Sequence, residues 1–145
     1  MQSDLQQRMD EGLDLLDAGD AKGALKIAKE LERKRFTGAF DLGAQAYAAL
    51  GWKEAAVSYL RKGLKEHHDS WLNWQLLGNY LSDLERYDEA DDAYESALAC
   101  DDPWKACVRM NQAIMWNRRG EHDRAIAQLR ALDEPILRSE EHTSE

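Results

Sequence analysis

The sequence has few residues that interrupt regular secondary structure or form cross-links. It contains two cysteines, two prolines and nine glycines among 145 residues. Two cysteines cannot build a disulfide framework, so Cys100 and Cys107 are interpreted as reduced, partly buried residues. The scarcity of proline and glycine favours long regular elements joined by short connections.

Long apolar runs are also missing. No stretch approaches the roughly 20 residues that a membrane-spanning helix needs, which argues against a membrane partner. Residues 1–7 lack the basic and apolar regions of a signal peptide, so a cytoplasmic location is predicted. The composition, 43% hydrophobic and 32% charged, is typical of a globular domain.

Basic residues are outnumbered, and the net charge is −9. Residues 66–102 hold eleven acidic residues and one basic residue, whereas residues 22–65 hold ten basic and four acidic ones. Such an acidic total disfavours a nucleic-acid partner, because phosphate contacts need a cationic surface. The basic segment 22–65 is interpreted as an ordinary solvated surface.

Motifs that carry catalysis or bind metals are absent or weak. There is no glycine-rich phosphate loop, no His-Glu-x-x-His, no Cys-x-x-Cys and no nucleophile elbow. His67 and His68 are adjacent, and neighbouring helical positions point about 100° apart, so they do not suit one shared metal. The sequence therefore predicts no catalytic residues, no metal, no cofactor and no enzymatic activity.

An acidic cluster lies between residues 88 and 95. It is interpreted as a solvated helix face, because a calcium site needs an irregular loop with a sharp glycine turn. The cluster consists of Asp88, Glu89, Asp91, Asp92 and Glu95.

What the sequence does contain is a repeat of small residues. Each of four small residues is followed twelve positions later by an alanine, with a turn position between them. The small residues are Gly12, Ala44, Gly78 and Ala113, and the turn positions are Gly19, Gly51, Glu85 and Gly120. Small residues let helices cross closely, and glycine suits the left-handed end of a helix. The spacing predicts helical hairpins with close crossings at Gly12 and Gly78.

The third unit carries a family resemblance. Trp74-x-x-Leu77-Gly78-x-x-Leu81, followed by Ala90, Tyr94 and Ala97, resembles a tetratricopeptide repeat. The second unit has a similar pattern, whereas the fourth has Arg109 and Gln112 where large apolar residues are usual. The first unit is degenerate, as end units in repeat arrays often are.

The resemblance implies an all-α fold, an α-solenoid of about four antiparallel helical hairpins. The predicted repeat domain covers residues 1–137, with units near 5–36, 37–70, 71–105 and 106–137. Asp133-Glu134-Pro135 is predicted to follow the last helix of the fourth unit, and Ile136 and Leu137 to begin another helix.

Residues 138–145 are interpreted as a disordered tail or a sequencing artefact, and in the second case the native chain continues beyond residue 137. The outer face of the last hairpin, with Ile126, Leu129 and Leu132, would then lack a cap. Self-association through this hairpin is expected.

The resemblance also implies a protein–protein interaction scaffold, in which the first helix of each hairpin lines a concave groove. Carried over by position, the groove candidates are Asp41, Gln45, Leu72, Gln75, Asn79, Asp83, Met110 and Ile114. The cations that some family members use to clamp a carboxylate are mostly missing here. The groove is expected to be apolar at its ends and mildly acidic in the middle, which suits a protein or peptide with basic and apolar residues.

A second function stays open at this point. The chain could be the accessory interaction arm of a larger enzyme whose C-terminal catalytic domain is missing from this fragment.

Overall fold

The computed structural model describes residues 2–101 and 104–143, and the side chains of residues 3–101 and 104–132. These residues form eight α-helices and no strand, which confirms the predicted all-α fold. The helices are α1 Gln2–Asp17, α2 Ala21–Arg33, α3 Ala39–Ala49, α4 Lys53–Glu66, α5 Trp71–Asp83, α6 Tyr87–Ala99, α7 Lys105–Arg118 and α8 His122–Thr143. None of the helices in the described part is both long enough and apolar enough to cross a membrane.

The helices stack as hairpins in two layers. Each helix packs against the next one in the chain, and the odd-numbered helices also pack against one another, α1 on α3, α3 on α5 and α5 on α7. The described even-numbered helices do not approach one another as closely, and long side chains link them, as Tyr59 on α4 does when it donates to Glu32 on α2 at 2.7 Å. The odd-numbered helices are therefore the closer-spaced layer, and the stack curves around them. We call the exposed side of α1, α3, α5 and α7 the inner face.

The predicted turn positions adopt the left-handed conformation. Gly19, Gly51 and Gly120 have φ of 89°, 84° and 94°, and Glu85 has φ of 61°. The residue after each turn position donates its backbone N–H to a carbonyl five residues earlier, as Arg86 does to Leu81 at 2.9 Å. This bond belongs to the Schellman motif, which closes the C-terminal end of a helix. The constant turn position predicted from the sequence is thus confirmed.

Glu85 is the one left-handed residue among these four that carries a side chain. We expect Glu85→Gly to raise the free energy of unfolding by about 0.5–1 kcal/mol, because the left-handed conformation is strained for a residue with a Cβ. Gly51→Ala is the matched reverse change: a Cβ there would meet nothing within 4 Å, so its cost is conformational. Urea denaturation of both variants checks the pair, and a destabilising Glu85→Gly would contradict it.

Small residues mark close helix crossings, as predicted. A Cβ built on Gly78 would lie 2.7 Å from Cε1 of Tyr94 on α6, in the same hairpin. A Cβ on Gly12 would lie 2.5 Å from Cδ2 of Leu42, which belongs to α3 of the next hairpin. Gly78 therefore serves a crossing within its unit, whereas Gly12 lies close both to the next unit and to Ile27 on α2 of its own unit, 3.2 Å from the added Cβ.

The interpretation of the acidic cluster as a solvated face is wrong for Asp91. One carboxylate oxygen of Asp91 accepts hydrogen bonds from Gln112 Nε2 at 2.8 Å and from Trp116 Nε1 at 3.1 Å. Gln112 also donates to Glu95 at 3.1 Å and accepts from Gln128 at 2.9 Å. A polar network therefore joins the third hairpin to the fourth, which explains why glutamine stands where an apolar residue was expected.

Two further expectations are corrected. Both cysteines are reduced, but Cys107 is exposed and not partly buried, because it lies beside Val108, whose side chain takes the buried position. The last helix was expected to end before Asp133, whereas α8 continues through Pro135 to Thr143. Proline in a helix interior removes one backbone hydrogen bond and costs about 3 kcal/mol. The helix α8 nevertheless continues past Pro135. The interpretation of residues 138–145 stays a prediction.

Candidate binding surface

Three predicted groove residues lie together on the inner face. Asn79, Asp83 and Ile114 line a cavity of about 270 Å³ between α5 and α7. Asp41 lines a separate cavity of about 390 Å³ between α3 and the start of α5. The remaining candidates share no cavity with these. Gln45 and Leu72 are partly buried, Gln75 is buried and Met110 is exposed.

The side chain of Asn79 is fixed by a residue of α6, in the layer of even-numbered helices. The Tyr94 hydroxyl donates to Asn79 Oδ1 at 2.5 Å. Tyr94 belongs to α6 and packs its ring on the backbone of Gly78, which has no side chain to block it. Burial raises the pKa of the Tyr94 phenol above its ordinary value, so the hydroxyl remains a donor at neutral pH. The small residue in the repeat pattern therefore helps to fix a side chain on the inner face.

Asp83 is not the free acidic contact that the sequence suggested. Its carboxylate lies 3.2 Å from Lys53 Nζ and 2.8 Å from Arg118 Nη1. Arg118 also donates to Ser82 Oγ at 3.3 Å. The three charges come from the second, third and fourth hairpins, so they link successive units. Two cations of the chain therefore balance the single negative charge of Asp83, so this part of the inner face is not acidic.

Asp41 lies in a different environment. It is partly buried, its Oδ1 atom has no hydrogen-bond partner among the described residues, and burial raises its pKa to about 6. The side-chain oxygens of Asn73 and Gln75 on α5 are also buried, and they too have no partner within the described part. A buried acceptor without a donor loses its hydration and gains nothing in return. Of the described side chains, three buried acceptors on α3 and α5 are therefore left without a donor.

Asn73 was not among the predicted groove residues. It follows Leu72, and carrying positions over from the repeat pattern selected Leu72 instead. The signal that marks Asn73 is its polarity among the apolar neighbours Trp71, Leu72 and Trp74 in a helix that packs on both sides.

The apolar part of the inner face lies on α7. Met110 and Ile114 are 51% and 45% exposed, one turn apart on the helix. Contiguous exposed apolar surface, unlike single exposed side chains, marks sites that bind other proteins. The apolar residues predicted at this end of the groove are therefore accessible.

Asp41 provides a prediction about stability and pH. Its folded-state pKa of about 6 lies above the ordinary value of 3.8, so the fold favours the protonated carboxyl, and stability falls as the pH rises from about 4 to about 6. We expect Asp41→Asn to stabilise the protein by about 1–3 kcal/mol at pH above 6, and by almost nothing at pH below 4.

Chemical denaturation of wild type and Asp41→Asn across this pH range measures the difference directly. Other carboxyl groups titrate in both proteins and largely cancel in the comparison. A difference between the two proteins that is the same at low and neutral pH would contradict the assignment.

Metal chemistry has no visible basis on this surface. In the part of the chain whose side chains are described, no three or more His, Cys, Asp or Glu side chains are placed to hold a metal ion. The arrangement can instead bind other groups through acceptors near Asp41 and apolar contacts on α7.

Comparisons with known proteins agree with this architecture. A sequence model of the tetratricopeptide repeat family matches residues 40–66 and 73–101. No curated protein sequence matches the chain at a significant level.

Solved structures with similar folds include TTC0263, described as a thermophilic TPR protein in Thermus thermophilus. It is 23% identical, with a TM-score of 0.81 over 90% of this chain and 73% of that one. MamA is 17% identical, with a TM-score of 0.73 over 94% of this chain and 81% of that one.

Proposed function

Because the chain is a tetratricopeptide repeat protein, we propose that it binds a segment of another protein along its inner face. Tetratricopeptide folds generally mediate protein–protein interaction. The proposal adds a location, the inner side of α3, α5 and α7, and a non-catalytic, scaffolding function.

The proposal rests on two features of one face: apolar side chains that are exposed, and buried hydrogen-bond acceptors for which the described part of the chain supplies no donor. Met110 and Ile114 expose apolar surface on α7, and Asp41 and Asn73, which line one cavity, carry acceptors that have no donors within the described residues of the chain. A bound segment with apolar side chains at one end and hydrogen-bond donors at the other would cover the apolar surface and supply the missing donors. An extended or helical peptide of this kind is a common way for helical grooves to bind.

Nothing in the described residues favours the alternative, an accessory arm of an enzyme. Self-association through the last hairpin stays a prediction, supported by the exposure of Ile126 and Leu129 on α8. Light scattering over a range of protein concentrations tests it, and a monomer at every concentration would contradict it.

The inner-face proposal predicts that Ile114→Glu will weaken partner binding. A charge in the centre of an apolar contact must be desolvated, so a loss of at least about tenfold in affinity is expected. Ile126→Glu is the matched control, since Ile126 is 46% exposed, against 45% for Ile114, but lies on α8; because Ile126 belongs to the predicted self-association surface, light scattering of both variants accompanies the binding measurement. Because both side chains are exposed, neither change should alter the fold, which circular dichroism can verify.

The experiment has two stages. Tagged wild type, Ile114→Glu and Ile126→Glu first capture proteins from a lysate of the source cells, and quantitative mass spectrometry finds those lost only with Ile114→Glu. The affinity of a purified candidate for all three proteins is then measured by calorimetry. Equal affinity for wild type and Ile114→Glu would overturn the proposed location.

A further inference from the structure

A polar cavity lies at the edge of the inner face, where the first turns of α3 and α5 meet the connection between α4 and α5. Its volume is about 390 Å³, and it is lined by Thr37, Asp41, Asp69, Ser70 and Asn73, among others. We call it the Asp41 pocket. It is large enough for the end of a long polar side chain.

Two acceptors in the Asp41 pocket have no donor within the described chain. They are Oδ1 of Asn73 and Oδ1 of Asp41. Asn73 is 3% exposed, and its backbone N–H donates to Ser70 Oγ at 3.4 Å in the cap of α5. The residue is thus fixed at the start of a helix, with a buried oxygen that needs a donor.

The charges around the pocket favour a cation. Asp41 and Asp69 both line it, together with His67, and no lysine or arginine of the described residues does. Asp83, on the same face, shows the opposite arrangement, because Lys53 and Arg118 supply its cations from within the chain. The positive ends of α3 and α5 oppose a cation, but each acts as only about half a charge.

We infer that the Asp41 pocket receives the guanidinium group of an arginine side chain from the bound partner segment. The inference deepens the proposed function and rests on it, since the partner on the inner face supplies the arginine. A bare metal ion is a poorer occupant, because the described side chains form no group of three or more metal ligands.

A guanidinium suits the geometry better than an ammonium group. The two acceptors belong to different helices, and guanidinium carries five N–H donors spread over a rigid plane, whereas an ammonium group carries three donors on one atom. It is also more weakly hydrated than an ammonium group, so less hydration is lost when it enters a partly closed cavity. Its charge would pair with Asp41, and its remaining donors would reach Asn73 and the hydroxyl groups at the rim.

The test uses a small probe and needs no identified partner. Nα-acetyl-L-arginine methylamide is titrated into the full chain at neutral pH while NMR follows the Asn73 side-chain amide and the Asp41 carboxyl carbon. Nα-acetyl-L-citrulline methylamide is the matched probe, with the same shape and no charge. We expect saturable shifts at both residues with the arginine probe, and at least about tenfold weaker binding of the citrulline probe.

A variant of the pocket sharpens the result. Asp41→Asn keeps the shape of the side chain, is expected to fold more stably than wild type, and should weaken the arginine probe at least about tenfold. Asp92→Asn removes the same charge from an exposed position on α6 and should leave binding unchanged. Equal binding of the two probes, unchanged binding by Asp41→Asn, or no saturable shift at Asn73 would each overturn the inference.

The outcome is distinguishable from failure of the proposed function. If the arginine probe saturates Asn73 but Ile114→Glu leaves partner affinity unchanged, the pocket takes guanidinium and the inner-face proposal fails. If Ile114→Glu abolishes partner binding but the arginine probe does not saturate, the inner-face proposal stands and the arginine pocket fails.

Discussion

Tyr94→Ala is expected to lower the free energy of unfolding by about 3–5 kcal/mol, the range for removing a large buried aromatic ring. Tyr94 is 1% exposed, packs on the backbone of Gly78 and donates its hydroxyl to Asn79. Its loss leaves a cavity between α5 and α6 and removes the partner of an inner-face side chain. Urea denaturation followed by circular dichroism measures the change.

Tyr94→Phe separates the ring from its hydroxyl. It keeps the packing on Gly78 and loses the hydrogen bond to Asn79, so a cost of about 1 kcal/mol is expected. A Tyr94→Ala variant no less stable than Tyr94→Phe would show that the ring does not hold the hairpin together.

Gly78→Ala tests the same contact from the other side. In wild type the new Cβ would lie 2.7 Å from the Tyr94 ring, and we expect a loss of about 1–3 kcal/mol from overpacking. In the Tyr94→Ala background the ring is gone, and alanine should stabilise the helix by up to about 1 kcal/mol relative to glycine. The sign of the effect is therefore expected to reverse between the two backgrounds.

Asp91→Ala is expected to destabilise the protein by about 1–3 kcal/mol, because it leaves the buried Trp116 indole N–H without its acceptor and leaves the Gln112 amide with Glu95 as its remaining acceptor. In wild type, Gln112 Nε2 and Trp116 Nε1 lie 2.8 and 3.1 Å from the same Asp91 oxygen. Both belong to α7, so the fourth hairpin should loosen from the third before the remainder unfolds. Hydrogen exchange of the α7 amides should report this loosening.

Asp92→Ala is the control for Asp91→Ala. It removes an identical charge from the neighbouring position of the same helix, but Asp92 is exposed. A change within about 0.5 kcal/mol is expected for such a surface site. Similar losses for the two variants would mean that the effect comes from the charge of α6 and not from the network.

The features predicted from sequence are those that repeat. The left-handed turn positions at Gly51 and Glu85 follow from their constant place in each hairpin, and the crossing at Gly78 follows from the recurrence of small residues. Each depends on backbone geometry that is the same in every unit. A pattern along the chain is therefore enough to locate it.

The features missed from sequence are pairs that occur once, between units. Asp91 lies 21 residues before Gln112, and Asp83 lies 35 residues before Arg118. Which acidic residue meets which donor depends on how neighbouring hairpins stack, and no local pattern encodes it. The left-handed Arg35, with φ of 60°, was missed for the same reason, since it lies in the connection between α2 and α3, which joins the first hairpin to the second.

Asp41 connects stability with binding. Its burial without a cation destabilises the folded chain at neutral pH, and the same buried charge would hold a guanidinium from a partner. If Asp41→Asn is more stable than wild type and binds the arginine probe more weakly, then the same carboxylate lowers stability and supports binding. Destabilised charges of this kind are often found at functional sites.

The most direct test of the account is to map where a partner lies. A photo-reactive phenylalanine is placed singly at Leu72, Ile114 or Ile126, and crosslinked partner peptides are identified by mass spectrometry. Binding on the inner face predicts that Leu72 and Ile114 crosslink neighbouring positions of one partner segment, whereas Ile126 crosslinks none of it. Crosslinks to that segment from Ile126, with none from Leu72 or Ile114, would contradict the account.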